Sequence, residues 1–201
     1  MAANLSFNDI PGTGDVKVLN YALLLEQLEN SLYKQAALRL QGGGKNGVGK
    51  TIPGLGLQAG NPAVEVVVKF GLVEYQHRNF LHDALGAASL LRHPTFRNAD
   101  FDFGIQSLDA GEVLNLVYVA ERTGVGAYLG AITKFKTRTY LQTAGAIQGT
   151  EARHTAAIAR VINLNYGGSL SVAPLANDNN GIDRPVAPDT VLKNVGPFIV
   201  L

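Results

Sequence analysis

Apolar residues recur at helical spacing in four stretches of the chain. In residues 15–40 they include Leu19, Ala22, Leu25, Leu28 and Leu32, three or four apart, with Asp15 placed to cap the start. A second stretch opens on Asn61-Pro62, a cap followed by proline in the first turn, and extends to about residue 91. Its early valines, Val64 and Val66 to Val68, would also suit a strand, but Phe70, Leu81 and Leu85 keep the helical period. The third runs over residues 109–135 with Leu114, Val117 and Val125 inward, and the fourth over residues 137–164 with Ala144, Ile147 and Ile158. Between them lie a glycine-rich connection at residues 41–61 and a phenylalanine-bearing loop at residues 92–107 that would cover one end of the bundle. From residue 165 the chain carries Pro174, Pro185, Pro188 and Pro197 and the turn-forming run at residues 177–181. This reads as an irregular arm with a short helix near residues 189–195 and an apolar end, packed on the bundle or on a partner subunit. The expected fold is all-α, an antiparallel four-helix bundle with a long glycine-rich loop and a C-terminal arm.

Charged residues interrupt each apolar stripe at one kind of place. Glu74 and His77 are three residues apart and share a face with Val67, Phe70 and Leu81; Glu151 and His154 do the same among Ala144, Ile147 and Ile158. Glu26 lies on the stripe of Leu19 and Ala22, with Tyr33 seven residues later and about 10 Å further along the axis. Glu29 is an alternative to Glu26 on that helix, and Glu26 is preferred. Glu121 sits among Leu114, Val117 and Val125, again with a tyrosine, Tyr128, seven residues on, whereas Glu112 falls on the opposite face. The chain thus repeats one order twice: Glu26 and Tyr33, then Glu74 and His77; Glu121 and Tyr128, then Glu151 and His154.

An ionised carboxylate facing a core is costly unless it is paired or bound to metal. Packing the four helices together would bring six candidate ligands into one interior. Four carboxylates carry about four negative charges and two divalent cations supply four positive, so the balance predicts two metal ions. Carboxylate and imidazole donors suit iron or manganese. His82 points about 140° away from His77 on the helical wheel, and His93 lies in a loop beside Pro94; both read as ordinary surface residues. Gly124, Gly126 and Gly130 weaken the third helix but permit close approach of a neighbouring helix.

The 201 residues suit a single domain, residues 1–201, with the bundle at about 15–164 and the arm at about 165–201; such a chain buries about 70% of its unfolded surface. The formal net charge of +1 provides no field for nucleic acid or an anionic membrane, and no apolar run approaches the length of a bilayer span. The absence of cysteine excludes disulfides and thiolate ligands, so a metal must be held through oxygen and nitrogen. As given, the chain reads as cytoplasmic, or as secreted or periplasmic if a signal peptide has been removed. Residues 44–51 match the phosphate-loop pattern G-x4-G-K-[ST], but a helical segment precedes them and Pro53 and Gly54 follow, where that motif needs a strand and then a helix. Asp100 and Asp102 lack the further ligands of a calcium loop and read as turn or cap residues.

The order of ligands resembles the ferritin-like di-metal carboxylate bundle, in which two helices each give one Glu and two others each give Glu-x-x-His. More narrowly, Val18-Leu19-Asn20-Tyr21-Ala22-Leu23-Leu24-Leu25-Glu26-Gln27-Leu28-Glu29, Gly124-Val125-Gly126-Ala127-Tyr128-Leu129-Gly130-Ala131 and Glu151-Ala152-Arg153-His154 resemble the bacterial and plant ferritin-like group that includes desiccation-related proteins. The resemblance implies Glu26, Glu74, His77, Glu121, Glu151 and His154 as ligands, Glu74 and Glu151 as bridging carboxylates, and Tyr33 and Tyr128 as supports beneath them. It also implies a stress role. Joined to the donor chemistry, it gives an expected function: a di-iron or di-manganese protein whose centre reacts with dioxygen or hydrogen peroxide, an oxidase-like or peroxidase-like oxidoreductase. The alternative is a desiccation-related structural or interaction protein whose metal site turns over little. An outer apolar helix face makes a homodimer the default assembly.

Overall fold

In the computed structural model, residues 4–174 and 180–201 are described. Helix α1, Gly14–Leu40, is buried on nearly every face, with Leu23, Leu24, Ala36 and Leu40 fully enclosed. That explains why its sequence shows little one-sided amphipathicity: a helix with neighbours all round has no solvent face to mark. Asp15 does not cap this helix. Thr13 holds the cap position, and the Asp15 carboxylate accepts from the backbone N–H groups of Lys136 (2.8 Å) and Thr137 (3.0 Å), fastening the start of the fourth helix instead.

Helix α2, Pro62–Leu85, begins where expected, with Asn61 Oδ1 accepting from Ala63 N at 2.9 Å. It ends before residue 91 because Gly86 takes a φ of 53°, which an α-helix cannot continue, and two short 3-10 turns follow. The buried Asn20 side chain ties them down, donating to the carbonyls of Ala88 and Pro11 and accepting from Leu90 N at 2.6 Å. Helix α3, Ala110–Ile132, starts with a capping box between Asp109 and Glu112, and α4, Arg138–Asn165, follows after a short link.

Contacts along the helices fix their directions. Tyr33, Gln27 and Asn20 of α1 meet Gly71, Arg78 and Ala88 in that order, so α1 and α2 are antiparallel. Tyr33 and Glu26 meet Glu121 and Tyr128, so α3 also opposes α1. Gly111 lies against Tyr166 and Ile132 faces Gly145, so α4 opposes α3. Helices α2 and α3 therefore run the same way, and residues 86–109 must return along the length of the bundle to connect them. That return is anchored by the buried rings of Phe96, Phe101 and Phe103 and by Ile105.

Among the described residues, four two-residue strands finish the loops. Strands β1, Gly44–Lys45, and β2, Thr51–Ile52, form a hairpin, which is the structure of the phosphate-loop look-alike. Asn46 Oδ1 accepts from Lys50 N, and Lys50 pairs with Asp102, so this segment presents neither the strand nor the helix N-terminus that phosphate binding needs. Strand β3, Asp100–Phe101, pairs antiparallel with β4, Ile199–Val200, and Asp102 accepts from Gly104 N in a turn. Arg39, buried at the end of α1, donates to the carbonyls of Leu108 and Pro53 and joins both long connections.

The arm includes helix α5, Pro188–Val195, whose Val191, Leu192 and Val195 are buried. Of the turn-forming run, residues 177–179 lie outside the described residues. Just before α5, Val186 N donates to Gly126 O at 2.9 Å. The glycine face of α3 therefore receives an extended stretch of the arm rather than a helix, because only bare Cα positions let a second backbone come so near. Among the described residues no helix is long and apolar enough to cross a membrane.

Two glycines give a paired test. A Cβ at Gly130 would overlap the Val186 carbonyl, whereas one at Gly145 would have nothing nearer than Ile132 Cδ1 at 3.9 Å. Alanine in an open helical position gains about 1 kcal/mol over glycine. Chemical denaturation is thus expected to show Gly145→Ala stabilising by up to that amount and Gly130→Ala destabilising, with the arm of Gly130→Ala cut faster in limited proteolysis.

Candidate metal centre

The antiparallel contacts bring the residues of the two sequence halves to one level of the bundle. Glu26, Glu74, Glu121 and Glu151 are fully buried, His154 is 4% exposed, and His77 is half-buried at the edge. Their donor atoms form two groups, Glu26, Glu74, His77 and Glu151, then Glu74, Glu121, Glu151 and His154. Within each group the atoms lie within 4.8 Å of one another. Glu74 and Glu151 belong to both groups, because they stand on α2 and α4, which pack side by side and present both carboxylates to the core.

The histidines are spread over several carboxylates. His77 Nδ1 lies 3.0 Å from Glu74, 3.3 Å from Glu151 and 3.4 Å from Glu26; His154 Nδ1 lies 2.8 Å from Glu74 and 3.3 Å from Glu121. Only the His77–Glu74 approach has the alignment of a hydrogen bond. His154 is held flat by Phe70, stacked on its ring with centroids 4.0 Å apart. The tyrosines work across the two halves: Tyr128 donates to Glu26 Oε1, and Tyr33 donates to Glu121 Oε1. A tyrosine two turns along its own helix is too far from that helix's glutamate, so each reaches the glutamate of the helix facing it.

Six atoms of this cluster, Glu26 Oε2, Glu74 Oε1, Glu121 Oε2, both oxygens of Glu151 and His154 Nδ1, are buried with no hydrogen-bond partner. Four of the six lie within 3.4 Å of an imidazole or carboxylate without the alignment of a hydrogen bond; buried polar atoms are nearly always satisfied, and their convergence on one place fits a cation site. The donors, oxygen with two imidazole nitrogens, fit divalent iron or manganese. A family model for the ferritin-like domain matches residues 14–164. The chain belongs to the ferritin-like family. No curated protein and no solved structure matches it significantly.

The remaining candidates of this ferritin-like protein lie apart from the cluster. His82 Nδ1 meets Ser89 Oγ at 2.6 Å, and His93 Nδ1 accepts from Thr95 N in an exposed loop. Glu29 is not a substitute for Glu26. Both are buried, but Glu29 belongs to neither donor group and lies on the α3 side of α1, where its Oε1 would be 2.9 Å from a Cβ at Gly124. Sequence reasoning placed one glutamate of α1 in the core, and the structure places two. The signal was present in the three-residue spacing, which keeps both on one broad face.

Electrostatics follow from crowding. Burial is the largest influence on Glu26 and Glu121 and pushes both up to about 8, reinforced by the neighbouring glutamates. Burial likewise holds Glu29 and Glu151 well above the carboxylate range. Glu74 goes the other way, to about 2, because contacts with His154 and His77 outweigh its burial. Burial pulls His77 down, but Glu151, Glu26 and Glu74 together overcome it and push the imidazole up to about 12.

These shifts give the metal-stripped ferritin-like protein a defined pH response. Glu26 and Glu121 bind protons more tightly folded than unfolded, so their contribution to stability is complete below about 4.5 and is lost as pH rises through about 8. Glu29 and Glu151 act with the same sign, and so does His77 between about 6.5 and 12. Glu74 contributes above about 4.5 and loses that only towards pH 2, so it is constant across this window. The Tm of the stripped protein is expected to fall steadily from pH 5 to pH 8 in calorimetry; a flat or rising Tm would contradict the assignment.

Proposed function

We propose that this ferritin-like protein is a di-metal protein, binding two iron or manganese ions and reacting with dioxygen or hydrogen peroxide in stress protection. The observation that carries the reading is the pair of donor groups sharing Glu74 and Glu151, with six buried atoms among them that make no hydrogen bond. Glu26 and His77 would serve one ion, Glu121 and His154 the other, and Glu74 and Glu151 would span both. Bound iron or manganese supplies reversible one-electron chemistry and coordination positions open to an oxidant. The chain's own residues fix the donors. Each tyrosine occupies Oε1 of Glu26 or Glu121, leaving Oε2 for the cluster, and Phe70 holds the His154 ring in one plane. The leucines of α1 around Glu26 keep water away, which strengthens every electrostatic contact inside. The stress role rests on the resemblance to desiccation-related proteins.

A second reading has its own support. With Glu74 ionised against a protonated His77 and the other glutamates holding protons, the core can balance its charge without metal. A structural member of the desiccation-related group would need no more. Elemental analysis of tag-free protein separates the two: the di-metal reading expects about two iron or manganese atoms per chain. Metal near zero after anaerobic incubation with Fe(II) and Mn(II) would remove it. For the iron-loaded protein, oxygen and peroxide consumption should fall at least about tenfold in Glu151→Ala, the scale of loss when a ligand-set interaction is removed. A structural protein would show little consumption in either form.

As to partners, the outer face of α2 carries Val68, Leu72 and Tyr75, exposed at 42%, 61% and 47% on one stripe. We assign this face to a second copy of the chain. Sedimentation equilibrium should find a dimer that Leu72→Glu converts to monomer.

A further inference from the structure

Glu29 is the fifth buried glutamate of the core, and neither the charge balance nor the donor groups use it. It is 3% exposed, accepts no hydrogen bond and pairs with no cation among the described residues. An unpaired carboxyl in such a place is expensive, so its surroundings decide what it is for. It opens onto a cavity of about 410 Å³ between α1, α3 and the C-terminal arm. The walls are apolar: Leu28 and Leu32 from α1, Leu116 from α3, Phe103 from the long return, and Val195 and Phe198 from the arm. The other polar side chains are accounted for. The Thr123 hydroxyl donates to its own helix at Val119 O, and Asn194 stands exposed at the outer rim.

The inner end of the cavity abuts the candidate metal centre. Gly124 of α3 lies there, and a Cβ on it would lie 2.9 Å from Glu29 Oε1 and 3.4 Å from Glu151 Oε2. The missing side chain is what lets both carboxylates reach the same spot. A molecule hydrogen-bonded to Glu29 would therefore end one side chain away from Glu151.

The lining defines the occupant. A cavity of this size with apolar walls takes a small organic molecule with an apolar body. No lysine, arginine or histidine lines it, so a carboxylate or phosphate head would give up its hydration with no cation in the walls to neutralise it. An ammonium head would surrender its hydration inside apolar walls. An uncharged hydroxyl satisfies Glu29 at neither cost. We propose that this cavity is a binding site for an apolar alcohol, its chain along Leu28, Leu32, Leu116 and Phe198 and its hydroxyl on Glu29. The site is built from α1, α3 and the arm and does not depend on metal. Its role as the substrate site of the oxidant chemistry rests on the di-metal reading.

The probe is 1-octanol, with octanoate as the anionic match, titrated calorimetrically into the 201-residue chain as purified and again after metal removal. Saturable binding of octanol, at least tenfold tighter than octanoate in both preparations, is expected. Glu29→Leu, which replaces the unpaired carboxyl by an apolar group of similar size, should weaken octanol at least tenfold while raising the Tm. Ala120→Phe, which adds a ring at a lining position, should abolish binding. No saturable octanol binding up to its solubility, octanoate binding as tightly, or Glu29→Leu binding octanol as tightly as the parent would each overturn the proposal. Should Ala120→Phe fail to fold, the Glu29→Leu comparison still decides. Metal content is measured on the same samples, so a protein with two metals and no octanol site loses the cavity alone, and one with an octanol site and no metal loses the di-metal reading alone.

Discussion

Five glutamates buried in one helical core impose the constraint from which the rest of this structure follows. Burial strips most of their water, and each carboxylate is best satisfied by a proton, an imidazole, a phenol or a cation. The fold meets that demand by bringing all four helices to the same level, so that two histidines and two tyrosines arrive with the glutamates. The balance remains incomplete among protein atoms: of the ten buried side-chain atoms without a hydrogen bond among the described residues, six lie together in this cluster. A core designed only for stability would place leucine at these positions. This one retains carboxylates there, as the proposed metal centre would require.

The two halves of the chain repeat an arrangement, but they do not fold as two units. Tyr33 on α1 serves Glu121 on α3, and Tyr128 on α3 serves Glu26 on α1, so each half completes the other. Glu74 and Glu151 cross in the same way, since each touches the histidine of the opposite half. Losing either half would strand buried carboxylates in the one that remained. The long return between α2 and α3 is the consequence: two parallel helices can be joined only by a connection that runs the length of the bundle, and its phenylalanines hold it there.

Much of this was legible in the sequence because it is local. Helical period located α1 to α4, and the three-residue spacing of Glu74 with His77 and Glu151 with His154 placed each pair on one face. What escaped was decided by partners distant in sequence. Asp15 looked like a cap for its own helix and caps α4, because the five-residue link brings that helix start beside it. The glycines of α3 announced a close neighbour without saying that it would be Val186 of the arm at one end and two carboxylates at the other. The end of α2 turned on the left-handed conformation of Gly86, a residue that is tolerated inside helices as well. Glu29 and Glu26 competed for one role on paper, because spacing shows that two residues share a face but cannot show how wide the buried face is.

The arm links these features. Val195 and Phe198 form the outer wall of the cavity that begins at Glu29, and β4, immediately beyond, is held to β3 by backbone pairing. Phe198 O also accepts from Asp102 N, and Asp102 in turn pairs with Lys50 of the glycine-rich hairpin. The outer wall of the cavity thus comes from the return and the arm, and the hairpin is tied to that junction through Asp102. Helices fix the donors of the candidate metal centre and leave them little freedom, as ligands would require. Loops and the arm enclose the approach to it, where exchange of a bound molecule needs some opening. Rigid donors and a separately built wall are the division of labour that a centre open to a small molecule needs, and in this chain the boundary between the two runs through Glu29 and the bare position at Gly124.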